Sequence, residues 1–256
     1  MTTRSIVCLV WLAGCSTLGS GGCAPAVTPT STAVDRVDVD DFADASASGH
    51  TALVWVQGNS AFVEGAVACW ESICAVTEAD GFAALSGLPD GEVAIDVQTG
   101  QGVPLVIPLT LNNHWAPHLA ARSLTPDIYA SWMGPDAWPE GTGLIDVWLD
   151  DATDGGGRLM SGVRLEASAG DVWSVHDLTT AERSPISSGT GPLWVANAPE
   201  GTVELTLTIE GALCRARSVG WQVSTEDTAE GHTLHMTVPS VANHATSIYV
   251  QCVDAP

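Results

Sequence analysis

The chain has 256 residues, 45% of them apolar, enough for one large folded domain or two small ones. Its 30 acidic residues against 8 basic ones give a formal net charge of −22, so it lacks the basic footprint that nucleic-acid phosphates require. All eight basic residues are Arg, and the absence of Lys excludes a Gly-Lys phosphate loop and any Schiff-base or Lys-activated mechanism.

The N-terminus begins with a basic residue, Arg4, followed by the apolar run Ile6–Leu12 and then small residues, the order of a secretory signal too short to span a bilayer as a helix. Leu12-Ala13-Gly14-Cys15 resembles the lipobox of bacterial lipoproteins. The resemblance implies removal of residues 1–14, lipidation of Cys15, and anchoring to the bacterial cell envelope. Ser16 after the cysteine, rather than Asp, implies the outer membrane. Ordinary secretion with cleavage near Ala24 or Ala26 is the alternative. Residues 15–49 are rich in Gly, Ser, Thr, Ala, Pro and Asp and read as a disordered acidic tether.

From Thr51 the pattern changes to short apolar runs bounded by Gly, Pro, Asp and Asn, spaced as in a β-sandwich. Strands are predicted near Ala52–Val56, Val63–Cys69, Ile73–Thr77, Phe82–Ser86, Val93–Gln98 and Val103–Leu111. The stretch 113–142 is rich in Pro and Trp and reads as a connector with one short helix, N-capped by Thr125 with Pro126 in its first turn. Strands resume at Leu144–Leu149, Gly162–Ala167, Trp173–His176, Leu193–Ala196, Val203–Ile209, Leu213–Trp221, Leu234–Val238 and Ser247–Val253.

The second set repeats the first. The segment Thr77–Val97, TEADGFAALSGLPDGEVAIDV, aligns without a gap on Ser187–Leu207, SSGTGPLWVANAPEGTVELTL, matching Gly81 to Gly191, Pro89 to Pro199 and Gly91 to Gly201. Leu53–Val56 answers Asp146–Leu149, Gly65 answers Gly162, and an insertion near Asp171–Ile186 interrupts the second copy. One architecture is used twice. The expected fold is all-β: two tandem transthyretin-like or Ig-like antiparallel sandwiches, residues 50–112 and 143–256.

The order of Gly65 and Val67, then Thr77, Asp80, Gly81 and Phe82, then Gly87, Leu88, Pro89, Gly91 and Val93 resembles the carboxypeptidase regulatory-like domain. Gly162, Thr190, Gly191, Asn197, Ala198, Pro199, Gly201 and Val203 carry it in the second copy, with Pro192 in place of Phe82. The resemblance implies a seven-strand sandwich that serves as a non-catalytic accessory module in exported proteins.

Beyond Cys8 in the signal and Cys15, five cysteines remain, and an oxidising compartment favours pairing. Cys69 and Cys74 flank a hairpin-length loop, Cys214 and Cys252 lie in late strands, and Cys23 is left over. Disulfides Cys69–Cys74 and Cys214–Cys252 are expected. His114 and His118, spaced four apart, lack a third ligand and have Pro117 between them; Asp150, Asp151 and Asp154 match no defined calcium loop. No metal or cofactor is expected, and no catalytic signature is found. Trp55 and Trp148 read as core residues. Trp70 and Trp173 read as the tryptophans placed to contact a ligand. The leading functional reading is a membrane-anchored exported lipoprotein acting as a structural or interaction module with an unknown protein or glycan partner. A carbohydrate-binding surface protein is the alternative, and an enzyme with an uncharted site the third.

Overall fold

A computed structural model describes residues 49–58, 61–100, 102–111, 118–122, 125–134, 140–151, 158–176, 180–210, 212–216, 220–228 and 231–254. Residues 1–14, Cys15, Cys23 and the acidic stretch to residue 48 lie outside the described residues, as do His114 and Asp154. Ala45–Pro256 forms one compact unit.

The described residues are all-β apart from one helix. The first copy comprises β1 (His50–Gln57), β2 (Val67–Trp70), β3 (Ile73–Val76), β4 (Phe82–Leu88), β5 (Gly91–Gln98), β6 (Leu105–Leu111) and β7 (His118–Arg122). Helix α1 (Pro126–Met133) follows. The remainder comprises β8 (Gly143–Asp151), β9 (Arg158–Leu159), β10 (Ser161–Ala167), β11 (Asp171–His176), β12 (Thr180–Glu182), β13 (Ile186–Ser188), β14 (Leu193–Ala198), β15 (Gly201–Ile209), β16 (Ala212–Ala216), β17 (Trp221–Thr228), β18 (Gly231–Ser240) and β19 (Ala245–Asp254).

The repeat seen in the sequence is a repeat of topology. In the first copy β1 lies between β4, antiparallel, and β7, parallel. In the second, β8 lies between β14, antiparallel, and β19, parallel. Across each sandwich, β5 is flanked by β2 and β6, with β3 outside β2. Correspondingly, β15 is flanked by β10 and β18, with β13 outside β10. Seven strands therefore recur in the same arrangement. The additions in the second copy are β9, β16, β17 and the β11–β12 hairpin, which fills the insertion and extends the β14 edge.

Period-2 patterning explains the cores. Ala52, Val54 and Val56 of β1 face Val93, Ile95 and Val97 of β5 in the first copy; Ile145, Val147 and Leu149 of β8 meet Val203, Leu205 and Leu207 of β15 in the second. The two copies are fused. Strand β19 pairs with β6 through Ala245–Leu105 and Thr246–Val106, joining one sheet of each sandwich into a continuous path, β12-β11-β14-β8-β19-β6-β5-β2-β3. Around this seam the Gly220 N–H donates to the Pro108 carbonyl at 2.9 Å, Thr110 Oγ1 to the Gly220 carbonyl at 2.8 Å, and Trp221 Nε1 to the Val93 carbonyl at 3.1 Å. The seam covers the second face of β6, so that strand is buried almost throughout instead of alternating.

Two predicted strands are laid out differently. Val63–Ala66 forms a loop and β2 starts only at Val67, because the chain wraps around a buried hydroxyl at this point. Thr77 Oγ1 donates to the Val63 carbonyl at 2.5 Å and accepts from the Ala66 N–H at 2.9 Å. Ser187, its counterpart, donates to the Met160 carbonyl at 2.8 Å and accepts from the Val163 N–H at 3.0 Å. The Thr or Ser that opens the repeated segment is thus a staple between the hairpin base and the preceding loop. Gly65 and Gly162, at φ 79° and 78°, make the same left-handed bend beside it. Thr77→Val is expected to leave two buried backbone groups unpaired at a cost of about 2 kcal/mol, whereas Thr77→Ser is nearly neutral; urea midpoints distinguish them.

Within the predicted strand Leu213–Trp221, β16 ends at Ala216 and β17 begins at Trp221, preceded by Gly220 at φ 81°; residues 217–219 lie outside the described residues. Residues 118–122, within the predicted connector, form β7. Helix α1 starts at Pro126 as expected, with Thr125 extended ahead of it at ψ 154°, but the Thr125 side chain makes no capping hydrogen bond.

Candidate functional site

The disulfides are Cys69–Cys74, across the β2–β3 hairpin, and Cys214–Cys252, across β16 and β19. In both, the cysteines are direct ladder partners.

The two tryptophans predicted to contact a ligand do not converge. Trp70 ends β2 and Trp173 lies in β11, six strand positions away along the shared sheet, a separation of roughly 29 Å. Trp70 is half-buried and packs against the hydrophobic core. Trp173 is also half-buried, and its ring is covered by the Arg183 guanidinium, 5.4 Å from the ring centroid. Arg183 in turn donates to Asp171 Oδ2 at 3.1 Å, and Asn197 Nδ2 donates to the same oxygen at 2.8 Å.

Trp55 and Trp148, expected in the core, occupy matching positions on β1 and β8 but on the outer faces of their sheets, both half-buried. Strand β1 carries apolar residues at both parities, and the smaller set of Ala52, Val54 and Val56 takes the interior. What covers these equivalent faces differs between the copies.

In the second copy the face is closed. Asp146 is buried, and its carboxylate accepts from two indoles: Trp194 Nε1 at 2.8 Å on Oδ1 and Trp148 Nε1 at 2.9 Å on Oδ2. Both oxygens gain charge-assisted partners, which is what lets a carboxylate sit inside an apolar layer. Helix α1 lies over Trp194, which is fully buried. Tyr129 meets it tilted at 5.1 Å between centroids, and Trp132 stacks on it at 5.3 Å with planes 7° apart. The predicted connector helix is therefore the lid of the second sandwich.

In the first copy Leu53 stands where Asp146 does, and the face carries an exposed aromatic group. Trp55 and Phe82 are ladder partners on β1 and β4 and lie stacked, centroids 5.9 Å apart and planes at 10°. Phe62 leans on Trp55 at 5.5 Å. Phe62 is 49% exposed and Phe82 37%, large fractions for aromatic rings on a folded surface. Leu53 and Ala84 continue the stripe, and Thr51 with Ser86, their hydroxyls 3.0 Å apart, ends it. Trp55 Nε1 is shielded from solvent with no hydrogen-bond partner among the described residues, an unmet donor within the patch. The rim is acidic, with Glu78 and Asp80 exposed in the turn before Phe82. Asp80 Oδ1 accepts from the Phe82 N–H at 3.1 Å, so this acid serves its own turn.

Among the described residues no three His, Cys, Asp or Glu side chains gather as a metal site would require, and no helix is long and apolar enough to cross a membrane. An apolar, aromatic, acid-rimmed face can stack on planar or apolar ligand surfaces. It offers no nucleophile and base in hydrogen-bond contact.

No protein-family profile matches the chain. No curated protein matches it either. Weak structural likeness links it to the Bacillus anthracis TIE protein at 12% identity and TM-score 0.27, covering 81% of this chain but only 34% of that one. The minor pilin GBS52 of Streptococcus agalactiae shows 10% identity and TM-score 0.27, covering 81% of this chain and 97% of that one. A streptococcal ancillary pilin shows 12% identity and TM-score 0.26, over 82% and 70% of the two chains.

Proposed function

We propose that the chain is an exported, non-catalytic interaction module, lipid-anchored to the cell envelope through Cys15, with two sandwiches, one built from β1–β7 and the other from β8–β19. The observation that carries this reading is the contrast between equivalent faces: one sealed by α1 over Trp194, the other presenting Phe62 and Phe82. Exposed aromatic patches rimmed by polar residues are characteristic of interaction surfaces. The seam between the copies gives that face a rigid mount, as a binding surface that loses little entropy on docking requires. The ligand is of neutral or cationic character, since Glu78 and Asp80 at the rim repel anions.

The parallel Trp55–Phe82 rings favour a second reading, in which the same face stacks on neutral sugar rings; Trp70 and Trp173 then have no part. Pull-down from envelope fractions and binding to a glycan array, each with Phe62→Ser/Phe82→Ser, test both readings. A protein captured by the parent chain and lost by the variant is expected. Loss of glycan signal instead selects the sugar reading, and unchanged binding in both assays contradicts the assignment of this face.

A further inference from the structure

We propose that the Cys69–Cys74 disulfide is a reversible thiol-exchange site that reacts with neutral and cationic thiols ahead of anionic ones, while Cys214–Cys252 stays closed. The two bridges sit in opposite surroundings. Cys214 and Cys252 are 1% and 0% exposed and lie inside the second copy. Cys74 is exposed on β3, the terminal strand of the long sheet, and Cys69 beside it is half-buried. Their outer-face neighbours Val67 and Val76 are 38% and 57% exposed, so no described element covers this face of the hairpin. Access to sulfur is a first determinant of exchange, and exposed bridges are the labile ones.

Charge sets the choice of thiol. Asp96 of β5 is the ladder partner of Cys69 and shares its face of the sheet. Asp96 Oδ2 accepts from Gln98 Nε2 at 3.1 Å, while Oδ1 has no hydrogen-bond partner among the described residues. Glu71 is exposed at the hairpin tip, and none of the chain's arginines lies in β2, β3 or β5. An anionic thiol approaching Cys74 meets both carboxylates.

In the exchange, an incoming thiolate attacks Cys74 Sγ. A new S–S bond forms to Cys74 as the Cys69–Cys74 bond breaks, and the electron pair leaves on Cys69 Sγ, which takes a proton from water. A second thiol then attacks the mixed disulfide, releasing Cys74 as thiol and the small molecule as its oxidised dimer. The cysteines gain two electrons and two thiols lose them. The hairpin survives because its ladder continues through Val67–Val76 and Trp70–Ile73, and because Thr77 clamps its base through Val63 and Ala66. The two thiols stay opposed, so the bridge re-forms when the oxidised dimer is added back: each step runs in reverse, and the dimer is reduced to two thiols as the cysteines are oxidised.

The test treats the full chain with cysteamine or, separately, 3-mercaptopropionate, traps thiols with iodoacetamide, and maps the alkylated peptides over time. Cys69 and Cys74 are expected to be alkylated together while Cys214 and Cys252 are not, with an unchanged circular dichroism spectrum. Relative to each thiol's rate with a small uncharged disulfide, cysteamine is expected to react about fivefold faster at low salt, with the difference shrinking as salt is added. Asp96→Asn should speed the anionic thiol selectively. Alkylation of all four at one rate, opening only with loss of the folded spectrum, or equal relative rates for both thiols would overturn the proposal.

Discussion

Trp194→Ala is expected to lower the stability of the chain by about 4–5 kcal/mol. Three losses combine. The ring is fully buried, so truncation leaves a cavity between β14 and α1. Asp146 Oδ1 loses the indole donor at 2.8 Å, which removes one hydrogen bond from a buried carboxylate. Trp132 and Tyr129 lose the ring against which α1 docks. For a folded unit of this size the melting temperature should fall by roughly 10–15 °C. Near-ultraviolet circular dichroism should lose the signal of the stacked indoles. Trp194→Phe keeps a ring against the helix and removes the donor with only part of the buried volume, so it should cost about half as much. Equal losses in the two variants would show that the hydrogen bond to Asp146, rather than the packing under α1, holds the lid.

Replacing Cys214 and Cys252 together by Ala should cost about 4 kcal/mol, from the chain entropy released when a loop of this length is no longer closed. The two residues are separated by 38 positions and lie buried on paired strands next to the seam. The same replacement at Cys69 and Cys74, only 5 positions apart, should cost about 2 kcal/mol. Chemical denaturation of both double variants under oxidising conditions checks the order. If the hairpin pair proved the costlier, the long-loop bridge would not be constraining the unfolded chain in the way its span implies.

The repeated architecture was legible in the residues because the same physical demands recur at matched positions. Thr77 and Ser187 hold their loops by the same two hydrogen bonds. Gly91 and Gly201 adopt φ 104° and 133°, a region closed to side chains, and open the strand that crosses each sandwich. The alternation of Val93, Ile95 and Val97 placed β5 correctly for the same reason. Strand β7 was not legible, because a five-residue strand whose ladder is completed by a distant parallel partner leaves no local pattern. Strand β17 was hidden by its polar composition, which an exposed edge tolerates. Trp55 was assigned to the core because Leu53 and Trp55 are as apolar as their neighbours; parity alone cannot choose a face when both parities are hydrophobic. The burial of Trp194 and the exposure of Phe62 and Phe82 follow from whether α1 passes overhead, a long-range fact absent from the local sequence.

The outer face of β1 and β4 is the surface proposed to meet a partner. Hydroxyl-radical footprinting of the full chain, free and in envelope fractions, tests it most directly, because aromatic side chains report their own solvent access. Reduced oxidation of Trp55, Phe62 and Phe82 in the envelope, with Trp70 and Trp173 unchanged, is the predicted result. Protection of Trp70 or Trp173 with Phe62 and Phe82 still fully reactive would contradict it.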